Sequence, residues 1–160
     1  MAVDMTIKID KIDGESKLDK HQAEIDVLSW SWGMGQSGTF HTGGGGGAGK
    51  ADFQDLTFTK WVDSASHALQ LACAEGEHIK EATLTVRKAG KKSLDYIIIK
   101  MKKLLVTSVT TGGSGGEERL TEQVSLNFAN VEYAYVPQKE DGSGDTKKEF
   151  KWNIEENKKV

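Results

Sequence analysis

The densest chemical signal in the sequence is HTGGGGGAGKADF, residues 41–53. Read from Gly44 it is G-x-x-x-x-G-K, one residue short of a phosphate-binding loop. In such loops the glycine N–H groups cradle phosphates, the lysine reaches the outer phosphates, and a following Ser or Thr hydroxyl ligates Mg²⁺. Here Lys50 is followed by Ala51, which has no oxygen to offer a metal. A phosphate loop also leaves a buried strand and opens a helix. Upstream lies GMGQSGTF, polar and glycine-rich; downstream, ADFQDLTFTKW sets Leu56 and Phe58 against Asp55, Thr57 and Thr59. That alternation is a strand. The run reads as a long loop that binds no nucleotide.

Other residue types capable of chemistry are scattered. His21, His41, His67 and His78 share no metal-ligand spacing, and no Ser, Cys or His carries a motif of nucleophilic catalysis. Glu117 and Glu118 sit in a glycine turn and read as solvated charges. Cys73 lies on the apolar face of a helical stretch and reads as a reduced core thiol. These patterns imply neither an enzyme nor a bound cofactor.

The elements that must position any other site are mainly strands. MTIKID sets Met5, Ile7 and Ile9 against Thr6, Lys8 and Asp10. In IDVLSWSWG, Leu28, Trp30 and Trp32 share one face, expected in the core, and Val27, Ser29 and Ser31 share the other. DSASHALQLACAEG places Ala65, Ala68, Leu69, Ala72 and Cys73 on one helical face, with Asp63 or Ser64 to cap its start and Gly76 to end it. EATLTVRK turns Ala82, Leu84 and Val86 inward, and the long LDYIIIKMKKLLVTSVTT is apolar on both faces at Tyr96–Ile99. In RLTEQVSLNFANVEYAYV the apolar parity changes from Leu120, Val124, Leu126 and Phe128 to Val131, Tyr133 and Tyr135, which predicts a bulge or bend near Ala129–Asn130. FKWNI is a last short strand. About seven strands and one helix predict a mainly β fold: a barrel of two packed antiparallel sheets with a flanking α-helix.

At 160 residues the chain is expected to form a single domain, 1–160. Such a chain buries roughly 70% of its unfolded surface without staples. Its 18 glycines against one proline point to exposed loops, flexible over about 33–50 and 138–148. A net charge of −3 gives no global reason to bind nucleic acid or insert in a membrane. No apolar run approaches the ~20 residues of a membrane span, and the N-terminal stretch has no signal-peptide core. Synthesis in the cytoplasm is expected, with any export by a route that bypasses the usual signal. Residues 87–103 carry seven Lys or Arg against one Asp, whereas 117–141 carry six acidic residues against two basic ones. Complementary segments of this kind suit a self-assembling subunit.

The stretches IDVLSWSWGMGQSG, GGGGGAGKADFQDLTFTKWVD, ATLTVRKAG, VTSVTTGGSGGEERLTEQVSLNFANVEY and WNIE occur in an order that closely resembles the Hcp proteins. These are the haemolysin-coregulated proteins of the type VI secretion system in Gram-negative bacteria. The resemblance implies a fold like that of phage tail tubes. It implies a homohexameric ring whose copies stack into the inner tube of a contractile apparatus, ejected under a VgrG-type spike by contractile sheath proteins. It further implies a lumen that holds and stabilises small effector proteins, and secretion by that system. On it, Ser29 and Ser31 are expected to face the lumen and touch cargo. His41, Thr42, Gly43, Gly44, Gly45, Gly46, Gly47 and Lys50 form the loop expected to reach a neighbouring subunit or ring. No appended toxin domain is expected after FKWNIEENKKV. The alternative reading is a monomeric ligand-binding β-barrel, which solution mass separates from a ring.

Overall fold

The computed structural model describes residues 3–42, 47 and 49–160. Its long strands are β1 (Val3–Ile9), β2 (Ile25–Ser31), β5 (Leu56–Trp61), β6 (Ile79–Lys88), β7 (Leu94–Thr111), β8 (Thr121–Tyr135) and β9 (Lys148–Asn153). The short β3 (Met34–Gly35), β4 (Asp52–Phe53) and β10 (Lys158–Lys159) add to these, and α1 (Ser66–Glu75) is the one α-helix among the described residues. Every strand pairing is antiparallel. Strands pair in the order β8-β5-β2-β1-β6-β7, and β7 returns to β8, closing a six-stranded barrel to which β9 and β10 are appended. The expected mainly β barrel with one helix is the fold found.

The barrel has two walls because β7 and β8 are long enough to serve both. Their halves Leu105–Thr111 and Thr121–Asn127 lie with β2 and β5; their other halves lie with β6 and β9. The bend expected near Ala129–Asn130 is present, and β7 shares it. In β7 the buried set changes parity between Met101 and Leu104, as it does in β8 between Phe128 and Val131. Lys103, between the two sets in β7, has φ 54°, a left-handed conformation rare for a residue with a side chain. Opposite it, the Ala129 carbonyl accepts N–H bonds from Ile154 and Glu155, which ties the appended strands to the corner.

Ile7, Ile25, Leu56, Leu69, Leu84, Ile99, Leu126 and Val124 are fully buried and fill the interior. α1 adds Leu69 and Ala72 and packs against β7. Its C-terminus is the expected Gly76, left-handed at φ 62°, whose N–H meets the last carbonyls. At its start the Asp63 carboxylate accepts the Ala65 N–H, although the capping position proper is Ala65, which has no side chain to cap with.

One expectation fails in β2. Val27 is buried and Leu28 is 36% exposed, the reverse of the simple alternation. The cause is a bulge in the pairing with β5 between Val27 and Ser29. An extra residue there flips the parity, so Ile25 and Val27 point inward before it and Trp30 and Trp32 pack on the core after it.

Candidate functional wall and its edges

The outer surface of the barrel divides by chemistry. On the wall made of β2, β5, the first half of β8 and the second half of β7, cross-strand register aligns Ser31, Thr57, Ser125 and Ser108 in one row. The next row aligns Ser29, Thr59, Gln123 and Thr110. Their sequence neighbours Phe58, Leu56, Val124 and Leu126 are buried, so alternation turns the hydroxyl and amide rows outward. The Thr57 and Ser125 hydroxyls meet at 2.9 Å. No charged side chain stands in either row. At one end Asp55 is held by Thr107 Oγ1 at 2.7 Å and Asn127 Nδ2 at 2.8 Å, both donating to its carboxylate.

Across the barrel the corresponding row on β1, β6, β7, β8 and β9 is Lys8, Thr83, Lys100, Glu132 and Lys151. Lys100 pairs with Glu81 at 3.3 Å, and Lys151 with Glu149 at 3.3 Å. A neutral wall thus backs onto a charged one.

The loop before β2 is clipped to the charged wall. His21 Nδ1 lies 2.8 Å from Glu24 Oε2 and its Nε2 3.1 Å from Asp95 Oδ2. Arg87 Nε donates to Asp95 Oδ1 at 2.7 Å, and Arg87 Nη1 donates to the Asp19 carbonyl at 2.9 Å. Burial works against the charged form of Asp95, but the bonds from Arg87 and His21 outweigh it and hold the carboxyl below its ordinary range.

The expected site residues fall as follows. Ser29 and Ser31 are exposed on the neutral wall. His41 and Lys50 are exposed; Phe40–Thr42 forms a 3₁₀ turn. Gly47 bonds through its N–H and carbonyl to the Thr39 hydroxyl, at 2.9 and 2.8 Å. Gly43, Gly44, Gly45 and Gly46 lie outside the described residues. After Lys50 comes strand β4 and no helix, so the surroundings of a phosphate loop are missing. Of the two charged segments, Arg87 and Glu122 are both buried, so neither is available to a neighbouring molecule. Among the described residues no group of His, Cys, Asp and Glu could hold a metal, and no helix is long and apolar enough to cross a membrane. Sequence reading did not find Thr57, Thr59, Ser108 and Ser125, because only the pairing register puts them beside the serines of β2.

Residues 6–135 match the family model described as "Type VI secretion system effector, Hcp". The chain belongs to the Hcp family. It is 57% identical over 159 residues to the protein hcp1 of Pseudomonas aeruginosa, with 98% of each chain covered. Among solved structures, one described as a type six secretion system protein is similar at 34% identity and TM-score 0.94, covering 99% of this chain and all of that one. Hcp1 from Salmonella typhimurium is similar at 35% identity and TM-score 0.80, with both chains covered completely. The barrel with one helix is therefore the Hcp fold, and the protein is one of the type VI secretion system.

Proposed function

We propose that this Hcp protein is a tube subunit: six copies close into a ring, rings stack, and the neutral wall lines the channel. The observation that carries the reading is that the neutral wall is a four-stranded sheet with two unlike open edges. Among the described residues β1 pairs with β2 only at Ile25 and Asp26, which leaves Val27–Ser31 without a strand on that side. β6 pairs with β7 only up to Leu104, which leaves Leu105–Thr111 without one. Unpaired edges are a liability that a protein covers or uses. Two different edges on opposite flanks of one sheet suit a heterologous contact, in which every copy gives one edge to each neighbour and rotation closes the ring.

Closed in that way, the hydroxyl rows face the channel. Hydroxyls donate and accept hydrogen bonds without bulk or fixed charge, so a small effector protein is held there and released. The charged wall faces outward, towards solvent or the contractile sheath, and the assembly is secreted beneath a VgrG-type spike. The loop carrying His41, Thr42, Gly43–Gly47 and Lys50 contacts the neighbouring subunit or ring. A monomeric ligand-binding barrel fits less well, because core side chains fill the interior that such a barrel would offer to its ligand.

The test is Ser31→Gln, which adds a larger amide without charge. Rings of normal appearance by negative-stain imaging are expected, with reduced co-purification of effectors. Unchanged binding of every effector tested removes Ser31 from the cargo surface. Loss of rings places the Ser31 side chain in the contact between copies instead of in the channel.

A further inference from the structure

The neutral wall carries one fixed charge. Asp55 stands directly before β5 and is partly exposed. Each of its carboxylate oxygens is held by a neutral donor: Oδ2 by Thr107 Oγ1 at 2.7 Å, and Oδ1 by Asn127 Nδ2 at 2.8 Å. The two donors come from two further strands, β7 and β8. Thr107 is the extra residue of a bulge in β7, between Val106, which pairs with Leu126, and Ser108, which pairs with Ser125. The bulge adds a hydroxyl to the wall beyond the Ser108 that continues the row, and that added hydroxyl grips Asp55.

No cation offsets this carboxylate. Among the described residues Asp55 makes no ion pair. The charged residues within the strands of the wall are Lys60 and Glu122, which are buried and pair with each other. Glu117, Glu118 and Arg119 lie in the turn between Thr111 and Thr121, at the opposite end of the wall. At the Asp55 end, Lys50 and Asp52 are both exposed and opposite in sign, and Lys103 at the corner of β7 pairs with Glu155 at 3.6 Å.

We infer that Asp55 decides which charge a cargo must present, taking a Lys or Arg side chain of the protein carried and turning acidic surfaces away. The inference deepens the channel reading and rests on it. Hydroxyls donate and accept alike, so the rows do not tell a basic side chain from an acidic one. A fixed carboxylate does, because it attracts one sign and repels the other. Rotation about the ring axis repeats it once per copy at one level, so every approach to that level meets the same sign. The effect is electrostatic and weakens as salt rises.

The test uses the full chain, its assembly checked by light scattering, as the parent, Asp55→Asn and Glu132→Gln. Asn has the shape of Asp and still offers an oxygen to Thr107, so the change removes the charge. Glu132→Gln removes the same formal charge from the charged wall. The probes are dye-labelled oligolysine and oligoglutamate, read by fluorescence anisotropy at low ionic strength. Asp55→Asn rings are expected to bind oligolysine about fivefold more weakly than parent rings, a difference that high salt removes. Glu132→Gln rings are expected to bind it as the parent does. Equal losses in the two variants assign the effect to net charge and overturn the inference, as does unchanged binding by Asp55→Asn. Rings lost in Asp55→Asn alone make the carboxylate part of the contact between copies and overturn it as well. Each of these outcomes leaves the ring reading standing, whereas a single-chain mass for the parent overturns both. As a second measurement, Asp55→Lys rings are expected to prefer oligoglutamate to oligolysine; an unchanged order of preference contradicts the assignment.

Discussion

Lys60 Nζ and Glu122 Oε1 lie 2.5 Å apart, and neither side chain has any exposure. Lys60 also meets Asp63 Oδ1 at 2.9 Å and the Trp61 carbonyl at 2.8 Å, while the Ser66 hydroxyl donates to Glu122 Oε1. The cluster ties β5, the start of α1 and β8 together at one end of the barrel. Removing one member of such a pair leaves a buried charge without its partner, whereas replacing both with apolar groups removes the desolvation cost as well.

Lys60→Met is therefore expected to lower unfolding stability by about 3 kcal/mol or more, because it leaves the Glu122 and Asp63 carboxylates buried without their cation. Adding Glu122→Leu to it is expected to recover part of that loss. Urea unfolding of the three proteins measures both; a double variant as unstable as the single one contradicts the explanation.

The clip at Asp95 predicts a dependence on pH. Its carboxyl titrates lower in the folded protein than the ~3.9 of an unfolded Asp. Its contribution is therefore complete above about pH 4 and is lost as pH falls through the lower folded value. Asp95→Asn is expected to unfold at lower urea than the parent at pH 7, with the gap between the two narrowing towards pH 3. A gap that stays constant over that range shows that the carboxylate charge contributes nothing. Asp95 is partly open to solvent, which keeps the effect modest.

The glycine run predicts a separation of folding from assembly. Shortening residues 43–47 is expected to leave the urea midpoint nearly unchanged, because loop length enters stability only logarithmically. The same change is expected to weaken tube formation. ATP and GTP are expected to give no saturable heat in titration calorimetry. Saturable binding that Lys50→Ala abolishes overturns this view of the run.

Local pattern carries the fold only as far as each strand keeps its period. In the middle of β6, Ala82, Leu84 and Val86 are buried as the sequence implies. The parity switch in β8 is visible in the sequence; that β7 turns the same corner depends on Lys103 adopting a left-handed backbone, which no local preference of lysine suggests. Leu28 is misplaced by alternation because one bulge inverts every residue after it. Lys60 looks like a surface residue, since lysine is almost never fully buried without a partner. Its partner Glu122 lies 62 positions away. The wall follows the same rule. Ser29 and Ser31 stand out along one strand, but the rows that continue them belong to three other strands and exist only through pairing. Family resemblance reaches further than either, since it compares the whole order of segments at once.

Light scattering on the purified chain at tens of micromolar in physiological salt tests the central claim most directly. A tube subunit gives a particle of six times the 17.5 kDa chain mass, or a whole-number stack of such rings. A single species at 17.5 kDa under these conditions contradicts it.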